Sequence, residues 1–134
     1  MNKLYALKQK GFRITSQREA VLKEIYSQPQ TVEELYTALR KRHVDIDLAS
    51  VYRTLLLFSQ LHIVNEIDFG DGVKRYEITD RKNHHHHIIC RDCGTVKDIF
   101  LTHENKILQE VSQKSKFNIE KHSLEFFGLC GNCR

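Results

Sequence analysis

Two Cys-x-x-Cys pairs constrain this chain of 134 residues more than any other feature of its sequence. Cys90 and Cys93 form the first pair, Cys130 and Cys133 form the second, and 36 residues separate the pairs. Two such pairs complete a tetrahedral shell of four thiolates, which is the closed geometry of structural zinc. A redox pair and an iron–sulfur cluster are the alternatives. The spacing therefore predicts a zinc site that ties the start of a small C-terminal domain to its end.

The segment "HHHHIICRDCG" places four consecutive histidines just before the first cysteine pair. The apolar residues that follow, 88–90, are typical of a buried strand, and successive side chains on a strand point to opposite faces. His84 and His86 then share one face, and His85 and His87 share the other. We therefore predict that one strand serves two separate metal sites. A purification tag and a flexible chelating loop are the alternatives.

The N-terminal part of the sequence follows helical periodicity. A short helix is predicted over residues 4–10, and the sequences SQRE at 16–19 and TVEE at 31–34 match the capping box that starts a helix. Asp47 is the predicted N-cap of a further helix. The predicted core stripe of this last helix contains Leu48, Val51, Leu55 and Phe58.

After this helix the apolar period changes from helical to alternating. Residues 63–69 and 76–78 alternate around a Gly-Asp-Gly turn at 70–72, which predicts a β-hairpin. Helices followed by a hairpin are the winged form of the helix-turn-helix, so residues 1–80 are predicted to be a winged-helix DNA-binding domain. Polar residues 80–83 are the predicted linker.

The remaining residues, 81–134, are predicted to form a second domain that binds metal and dimerises. Strands are expected over 85–90, 95–100 and 117–127, with a helix over 103–115. The predicted fold class is therefore α+β, with a winged helix-turn-helix followed by a small α/β dimerisation domain that carries a zinc site of four cysteines.

The basic residues favour a nucleic-acid partner. Residues 1–53 carry ten Lys and Arg against six Asp and Glu, which suits a phosphate backbone, although an ordinary solvated face has the same composition. A helical wheel puts Arg53 opposite the predicted core stripe, with Ser50 on the same outer face and Tyr52 on the flank. Arg53 is a candidate for phosphate or guanine, and Tyr52 for thymine methyl groups or sugar. Alternatively, Tyr52 closes the edge of the core and Arg53 is a surface charge.

Four motifs occur in order: "GFRITSQREAVL", "LASVYRTLLLF" followed by "HIV", "HHHHIICRDCG" and "HSLEFFGLCGNC". Together they resemble the ferric uptake regulator family over residues 8–133. The resemblance implies a dimeric, metal-dependent transcription factor, usually a repressor, that binds a palindromic operator in double-stranded DNA. It also implies that Ser50, Tyr52 and Arg53 lie in the recognition helix and that Arg13 reaches toward the minor groove.

The resemblance also implies two histidine-containing metal sites. The residues of the sensor site between the two domains are Glu77, His85, His87 and Asp98. The residues of the second site, within the dimerisation domain, are His84, His86, His122 and an acidic residue on the helix after Thr102.

The sequence departs from the family pattern at two positions. Pro29 or Gln30 stands where the family has a histidine of the sensor site, so the coupling of metal to the DNA-binding domain rests on Glu77, with Glu66 as a candidate second ligand. Alternatively, a water completes the metal shell and the coupling is weaker. Asn105 stands at the aligned acid position of the second site, and Glu104 and His103 are the candidate substitutes. We predict that Glu104 is the ligand.

The sensed metal stays open at this stage between zinc and ferrous iron. The histidine run lacks a neighbouring carboxylate and favours Zn²⁺, whereas Glu77 and Asp98 favour Fe²⁺, or Mn²⁺ in a peroxide-sensing regulator.

A small zinc hydrolase with Glu77 as general base and a metal-buffering protein are rival functions. Neither explains "LASVYR" after two capped helices, so we predict a regulator and not an enzyme. The sequence contains no apolar run long enough for a membrane span and no secretory leader, which predicts a cytoplasmic protein.

Overall fold

The structure is a computed structural model that describes residues 3–25, 28–79 and 84–134. The chain divides into two compact units, Met1–Asp80 and Arg81–Arg134, called unit 1 and unit 2 below. The predicted linker at 80–83 lies outside the described residues. None of the helices in the described ranges combines the length and apolar character needed to cross a membrane.

Unit 1 has the winged helix-turn-helix architecture that the periodicity predicts. Its elements are α1 (Lys3–Gln9), α2 (Ser16–Glu24), β1 (Gln30–Thr31), α3 (Val32–Lys41), α4 (Leu48–Gln60), β2 (Val64–Asp68) and β3 (Lys74–Ile78). The three strands form an antiparallel sheet in the order β1-β3-β2, so the β2–β3 hairpin is the wing. The two-residue strand β1 was not predicted, because its identity as a strand comes only from pairing with β3.

Side chains cap three of these helices at their N-termini. The predicted capping box at Thr31 is confirmed, and Asp47 caps α4 as predicted. The predicted capping box at the start of α2 is wrong, since Thr15 and not Ser16 is the N-cap. The hydroxyl of Thr15 accepts a hydrogen bond from the backbone N–H of Arg18 at 3.1 Å. The sequence places two hydroxyl residues side by side, and only the backbone conformation selects between them.

The core of unit 1 draws apolar side chains from every helix and from the wing. The largest fully buried side chains are Leu7, Val21, Leu35, Leu39, Val51, Leu55, Phe58 and Val64. Tyr76 of β3 joins this core, and burial raises the pKa of its phenol to about 12. Leu48 was predicted in the core stripe but is 42% exposed, because it is the first residue of α4 and lies at the edge of the stripe.

Unit 2 contains β4 (His86–Cys90), β5 (Val96–Ile99), α5 (Glu104–Ser115) and β6 (Glu125–Gly128). The strand order is β5-β4-β6, with β5 antiparallel and β6 parallel to β4. The predicted strand over 117–127 is therefore too long, since pairing with β4 begins only at Glu125. Residues 117–124 contain alternating apolar side chains, but they pair with no strand among the described residues. Sequence periodicity alone cannot tell whether a segment has a pairing partner.

Unit 2 buries very few apolar side chains. Ile89 and Cys90 are its buried hydrophobic residues among those described, and α5 has no buried residue at all. The exposed large apolar side chains of unit 2 are Phe100, Leu101, Ile107, Val111, Phe117, Phe126, Phe127 and Leu129. This small sheet and its helix therefore lack a conventional hydrophobic core within one copy of the chain.

Candidate metal centres and nucleic-acid interface

The four cysteines come together at one end of the sheet of unit 2. Their four Sγ atoms lie within 4.8 Å of one another, and all four are free thiols. Cys90 ends β4, and its sulfur accepts a hydrogen bond from the backbone N–H of Cys130 at 3.3 Å. Backbone N–H groups of Cys93 and Cys130 lower the pKa of the Cys90 thiol to about 6. The cluster offers four thiolate ligands in the number and type that zinc prefers.

Neighbouring groups also act on the thiols of Cys93 and Cys133. The hydroxyl of Thr95 lies 3.1 Å from Sγ of Cys93, and its hydrogen bond lowers the pKa of that thiol. Hydrogen bonding with Cys130 raises the pKa of the Cys133 thiol. Thr95 was not identified from the sequence, although its position two residues after Cys93 is a signal that could have found it.

The even-numbered histidines converge on one carboxylate. Oε1 of Glu104 lies 3.1 Å from Nε2 of His84 and 2.5 Å from Nε2 of His86, and it also contacts Nε2 of His122. Burial raises the pKa of Glu104, but hydrogen bonds from the three imidazoles outweigh burial and bring the pKa to about 2. Glu104 is the first residue of α5, so this cluster joins α5 to β4 and to the segment before β6.

The odd-numbered histidines point to the opposite face of the strand. Nε2 of His85 and of His87 lie 3.9 and 3.6 Å from Oδ1 of Asp98, which is paired with His87 across the β4–β5 ladder. The two imidazole rings are almost perpendicular, with centroids 4.9 Å apart. Oδ1 of Asp98 is buried and accepts no hydrogen bond from any described residue. A buried carboxylate oxygen without a donor is costly, and a bound cation would satisfy it.

The predicted DNA-contacting residues lie on the outer surface of unit 1. Tyr52, on α4, is 48% exposed. Arg53 is exposed on α4, and its Nη2 donates a hydrogen bond to Oγ of Ser50 at 3.1 Å. Arg13 lies in the exposed segment before α2. All four of these side chains reach the surface of unit 1. Three of them lie on α4, where the helical wheel predicts outward positions, and Arg13 precedes α2.

Comparison with known proteins identifies the family. The Ferric uptake regulator family matches residues 9–127, which is most of the chain. The chain belongs to this family. It is 35% identical over 132 residues to the ferric uptake regulation protein of Bacillus subtilis, covering 92% of this chain and 86% of that protein. It is 33% identical over 132 residues to the peroxide-responsive repressor PerR of Staphylococcus saprophyticus, covering 96% of this chain and 87% of that protein.

A solved structure shows the same fold. The ferric uptake regulator of Vibrio cholerae superimposes with a TM-score of 0.86 at 31% identity, covering 96% of this chain and all of that chain. Members of the family are metal-responsive, DNA-binding transcriptional regulators. Because this chain is similar both to an iron regulator and to a peroxide-responsive one, the comparisons leave its subgroup open.

The structure clarifies the departure from the family pattern at Asn105. Of the two candidate substitutes beside Asn105, Glu104 lies in the histidine cluster. His103 is the N-cap residue of α5 and makes no capping hydrogen bond through its side chain, and Asn105 is exposed. The helix begins one residue before the aligned acid position, which directs its first side chain toward β4.

The other departure concerns the histidine missing beside Glu77. Glu77 lies on β3 of unit 1, opposite Asn65 of the wing. Gln30 pairs with Tyr76, so its side chain shares the face of Tyr76, and neighbouring residues on a strand face opposite ways. Extending this antiparallel register by one residue puts Pro29 beside Glu77. A proline offers no side-chain ligand, so the position beside Glu77 supplies none.

Proposed function

We propose that this protein is a metal-dependent transcriptional repressor that binds a palindromic operator in double-stranded DNA as a homodimer. Residues 1–80 read the DNA, and residues 81–134 bind the metals and form the dimer. The observation that carries this proposal is the presence of separate ligand clusters on the two faces of one histidine strand, in the same chain as a winged helix. Binding, and not catalysis, is the role that we assign to these side chains.

The four-cysteine cluster is proposed to hold structural zinc. The residues are Cys90, Cys93, Cys130 and Cys133. A closed shell of four thiolates leaves no open coordination position, so the ion would contribute a cross-link and no chemistry. The hydrogen bond from the backbone of Cys130 to Sγ of Cys90 supports this assignment, because N–H donors stabilise negative charge on sulfur. The cross-link would tie the end of β4 to the C-terminal segment.

The odd-numbered histidines are proposed to belong to the sensor site, together with Asp98 of unit 2 and Glu77 of unit 1. The buried oxygen of Asp98 without a hydrogen-bond donor supports a cation there. A divalent ion would supply the positive charge that lets two carboxylates share a site, since their charges otherwise repel. Glu77 then carries the connection between metal and wing alone, because Pro29 or Gln30 stands where the family has a histidine.

The even-numbered histidines are proposed to form a second metal site with His122 and Glu104. The carboxylate and three imidazoles already point to a common centre, and Glu104 is held as a carboxylate by their hydrogen bonds. Metal at this position would attach α5 to the sheet. Since α5 buries no side chain of its own, this attachment supports the shape of the dimerisation surface.

The regulatory metal is proposed to be Zn²⁺ or Fe²⁺. The sensor site contributes two imidazoles and two carboxylates, a set whose oxygen donors suit Fe²⁺ and also Mn²⁺. The second site contributes three imidazoles and one carboxylate, which suits Zn²⁺. Peroxide sensing is the alternative within this family, and the similarity to the peroxide-responsive repressor PerR supports it.

The apolar surface of unit 2 supports a homodimer. A groove of about 570 Å³ lies between α5 and the segment 117–124, and Ile107, Val111 and Phe117 line it. Large contiguous apolar surfaces on a folded domain mark interaction sites. A second copy of the chain would cover this surface and bring two winged helices onto the two halves of a palindrome.

A gel-shift titration tests the proposed function. The duplexes are a family-type palindrome and a scrambled control, and the protein is chelator-treated, zinc-loaded or loaded anaerobically with ferrous iron. We expect tight, specific binding with one metal and weak binding after chelation. Equal binding in all three forms would refute metal dependence, and failure to bind with any metal would refute DNA recognition. Release of the ferrous form by peroxide would assign the protein to the peroxide-sensing subgroup.

A further inference from the structure

Two adjacent side chains in the first turn of α2 bond to backbone outside their own helix. Nε2 of Gln17 donates a hydrogen bond to the carbonyl oxygen of Asp45 at 2.9 Å. Nη1 of Arg18 donates one to the carbonyl oxygen of Arg13 at 2.7 Å. Consecutive residues on an α-helix point about 100° apart, so the two side chains reach in different directions. The first turn of α2 is thereby connected to two separate chain segments.

The two acceptors belong to the segments that carry the proposed DNA contacts. Asp45 lies two residues before Asp47, the N-cap of α4, whose carboxylate accepts a hydrogen bond from the backbone N–H of Ser50 at 2.7 Å. Hydrogen bonds from Ser50 to this carboxylate lower the pKa of Asp47. A chain of contacts therefore runs from Gln17 to the start of the recognition helix. Arg18 bonds to the backbone of Arg13 itself.

α2 is a rigid support for both connections. Val21 of this helix is fully buried in the core of unit 1, and Thr15 caps its N-terminus through the backbone N–H of Arg18. The side chain and the backbone of Arg18 thus both bond to the short segment before the helix. A segment with two such bonds loses less conformational freedom when it binds a partner.

We propose that Gln17 and Arg18 are positioning residues that hold Arg13 and the start of α4 in the relative geometry that DNA requires. This inference rests on the proposed function, in which residues 1–80 read the DNA, and on the roles that the family resemblance implies for Arg13 at the minor groove and for α4 as the recognition helix. Neither Gln17 nor Arg18 needs to contact DNA in this role. Their hydrogen bonds preorganise two contact segments that are far apart in sequence.

The first test is a double-mutant cycle between Arg18 and Arg13. Arg18→Gln should weaken operator binding by about tenfold or more, which is the effect of losing one charge-assisted hydrogen bond. In an Arg13→Ala background the same change should weaken binding less than about twofold, since a positioned contact is already gone. Equal effects in both backgrounds would show that Arg18 acts on the DNA directly and would overturn the proposal.

Two control variants accompany this cycle. Lys23→Gln removes the same charge from α2 at an exposed position paired with Glu19, and it should change binding little. Arg18→Lys keeps a positive N–H donor and should retain most of the affinity. If Lys23→Gln weakens binding as much as Arg18→Gln, general electrostatics explain the loss and the positioning role is refuted. Thermal unfolding of each variant confirms that the comparison is made between folded proteins.

The second test uses a change that alters no charge. Gln17→Met keeps the length of the side chain but removes its donor, and we expect about fivefold weaker operator binding from the lost hydrogen bond. The salt dependence of binding should stay unchanged, because no cation is lost. The loss should also shrink in an Arg53→Ala background. Unchanged operator binding, or full additivity with Arg53→Ala, would remove Gln17 from this role.

The wild-type protein separates this inference from the proposed function. All measurements use the full chain, loaded with the metal that gives specific binding. If the metal-loaded wild type does not bind the palindrome, the proposed function fails. If the wild type binds and both cycles are additive, the proposed function stands and only the positioning role fails.

Discussion

Unit 1 and unit 2 are held together by different physical means. Unit 1 buries thirteen hydrophobic residues in one cluster, from Leu7 in α1 to Tyr76 in the wing. Unit 2 buries only Ile89 and Cys90 among its described hydrophobic residues, although it contains a three-stranded sheet and a helix. A small domain without a sufficient core needs cross-links, metals or association with another chain. We therefore expect unit 1 to fold by itself and unit 2 to depend on metal or on a second chain.

Three candidate ligand clusters contain residues of unit 2. One cluster closes the end of the sheet, another joins α5 to β4 through Glu104, and the third connects β4 and β5 through Asp98. Metal binding of this kind can supply most of the folding free energy of a small domain. From this difference we expect that removing metal unfolds or dissociates unit 2 and leaves unit 1 folded.

The largest expected effect is the loss of unit 2 by a change in the cysteine cluster. Cys90→Ser removes one of four thiolates and forfeits much of a binding free energy that is about 10 kcal/mol for structural zinc. We expect one zinc fewer per chain and a monomer in sedimentation, with the thermal transition of unit 1 retained. Lys97→Gln on the neighbouring strand is the control. A Cys90→Ser protein that stays dimeric and folded without zinc would give the cysteines another role.

The converse change, a substitution in the core of unit 1, should destabilise unit 1 and leave unit 2 folded. Phe58→Ala leaves a cavity in a site with no solvent exposure, so unit 1 should lose about 3–5 kcal/mol of stability. Leu56→Ala in the same helix is the matched control, because Leu56 is 48% exposed and its loss should cost less than about 0.5 kcal/mol. Denaturation and metal analysis measure both units. Loss of zinc from the Phe58→Ala protein would contradict the independence of the units.

The third prediction concerns the two faces of the histidine strand. His85→Ala and His87→Ala should each raise the metal concentration needed for DNA binding by about 10–100-fold or more, with the dimer intact. His84→Ala and His86→Ala should group with His122→Ala and lower metal stoichiometry or dimer stability. If the His84, His86 and His122 variants instead raise the metal concentration needed for DNA binding, sensing belongs to the second cluster. Identical behaviour of all the variants would show that the strand does not serve two sites.

The smallest expected effect is confined to the DNA surface of unit 1. Arg53→Ala should weaken binding without changing the stability or metal content of either unit. A phosphate contact predicts equal weakening on all sequences and a salt slope reduced by about one unit, whereas a guanine contact predicts relaxed specificity at one base pair by about 1–3 kcal/mol. Ser50→Ala controls for the hydrogen bond that Ser50 accepts from Arg53. Binding unchanged in both respects would exclude Arg53 from the interface.

Features that depend on neighbours in sequence were predictable. The caps at Thr31 and Asp47 follow from side chains that bond within one helical turn. The separation of odd and even histidines follows from the two-residue period of a strand, and the structure places them in different clusters. The cysteine cluster likewise follows from paired spacing. In each case the physical cause acts over a few residues.

Features that depend on distant neighbours were not predictable. The strand β1 exists because Gln30 and Thr31 pair with β3. The strand β6 is short because pairing with β4 covers only the four residues from Glu125 to Gly128. Leu48 has the spacing of a core residue, yet at the first position of α4 it is 42% exposed. The hydrogen bond from Gln17 to Asp45 joins residues 28 apart, and no local pattern indicates it.

The sequence by itself determined the fold class, the cysteine set and the two-sided histidine strand, since these depend on periodicity and spacing. Only the tertiary structure decided which neighbouring residue fills each position. Glu104 completes the second cluster because α5 begins there, and the β1–β3 register, extended by one residue beyond Gln30, puts Pro29 beside Glu77. A metal site needs ligand atoms to converge within a few ångströms, and that convergence is fixed by packing between elements and not by the order of residues along the chain.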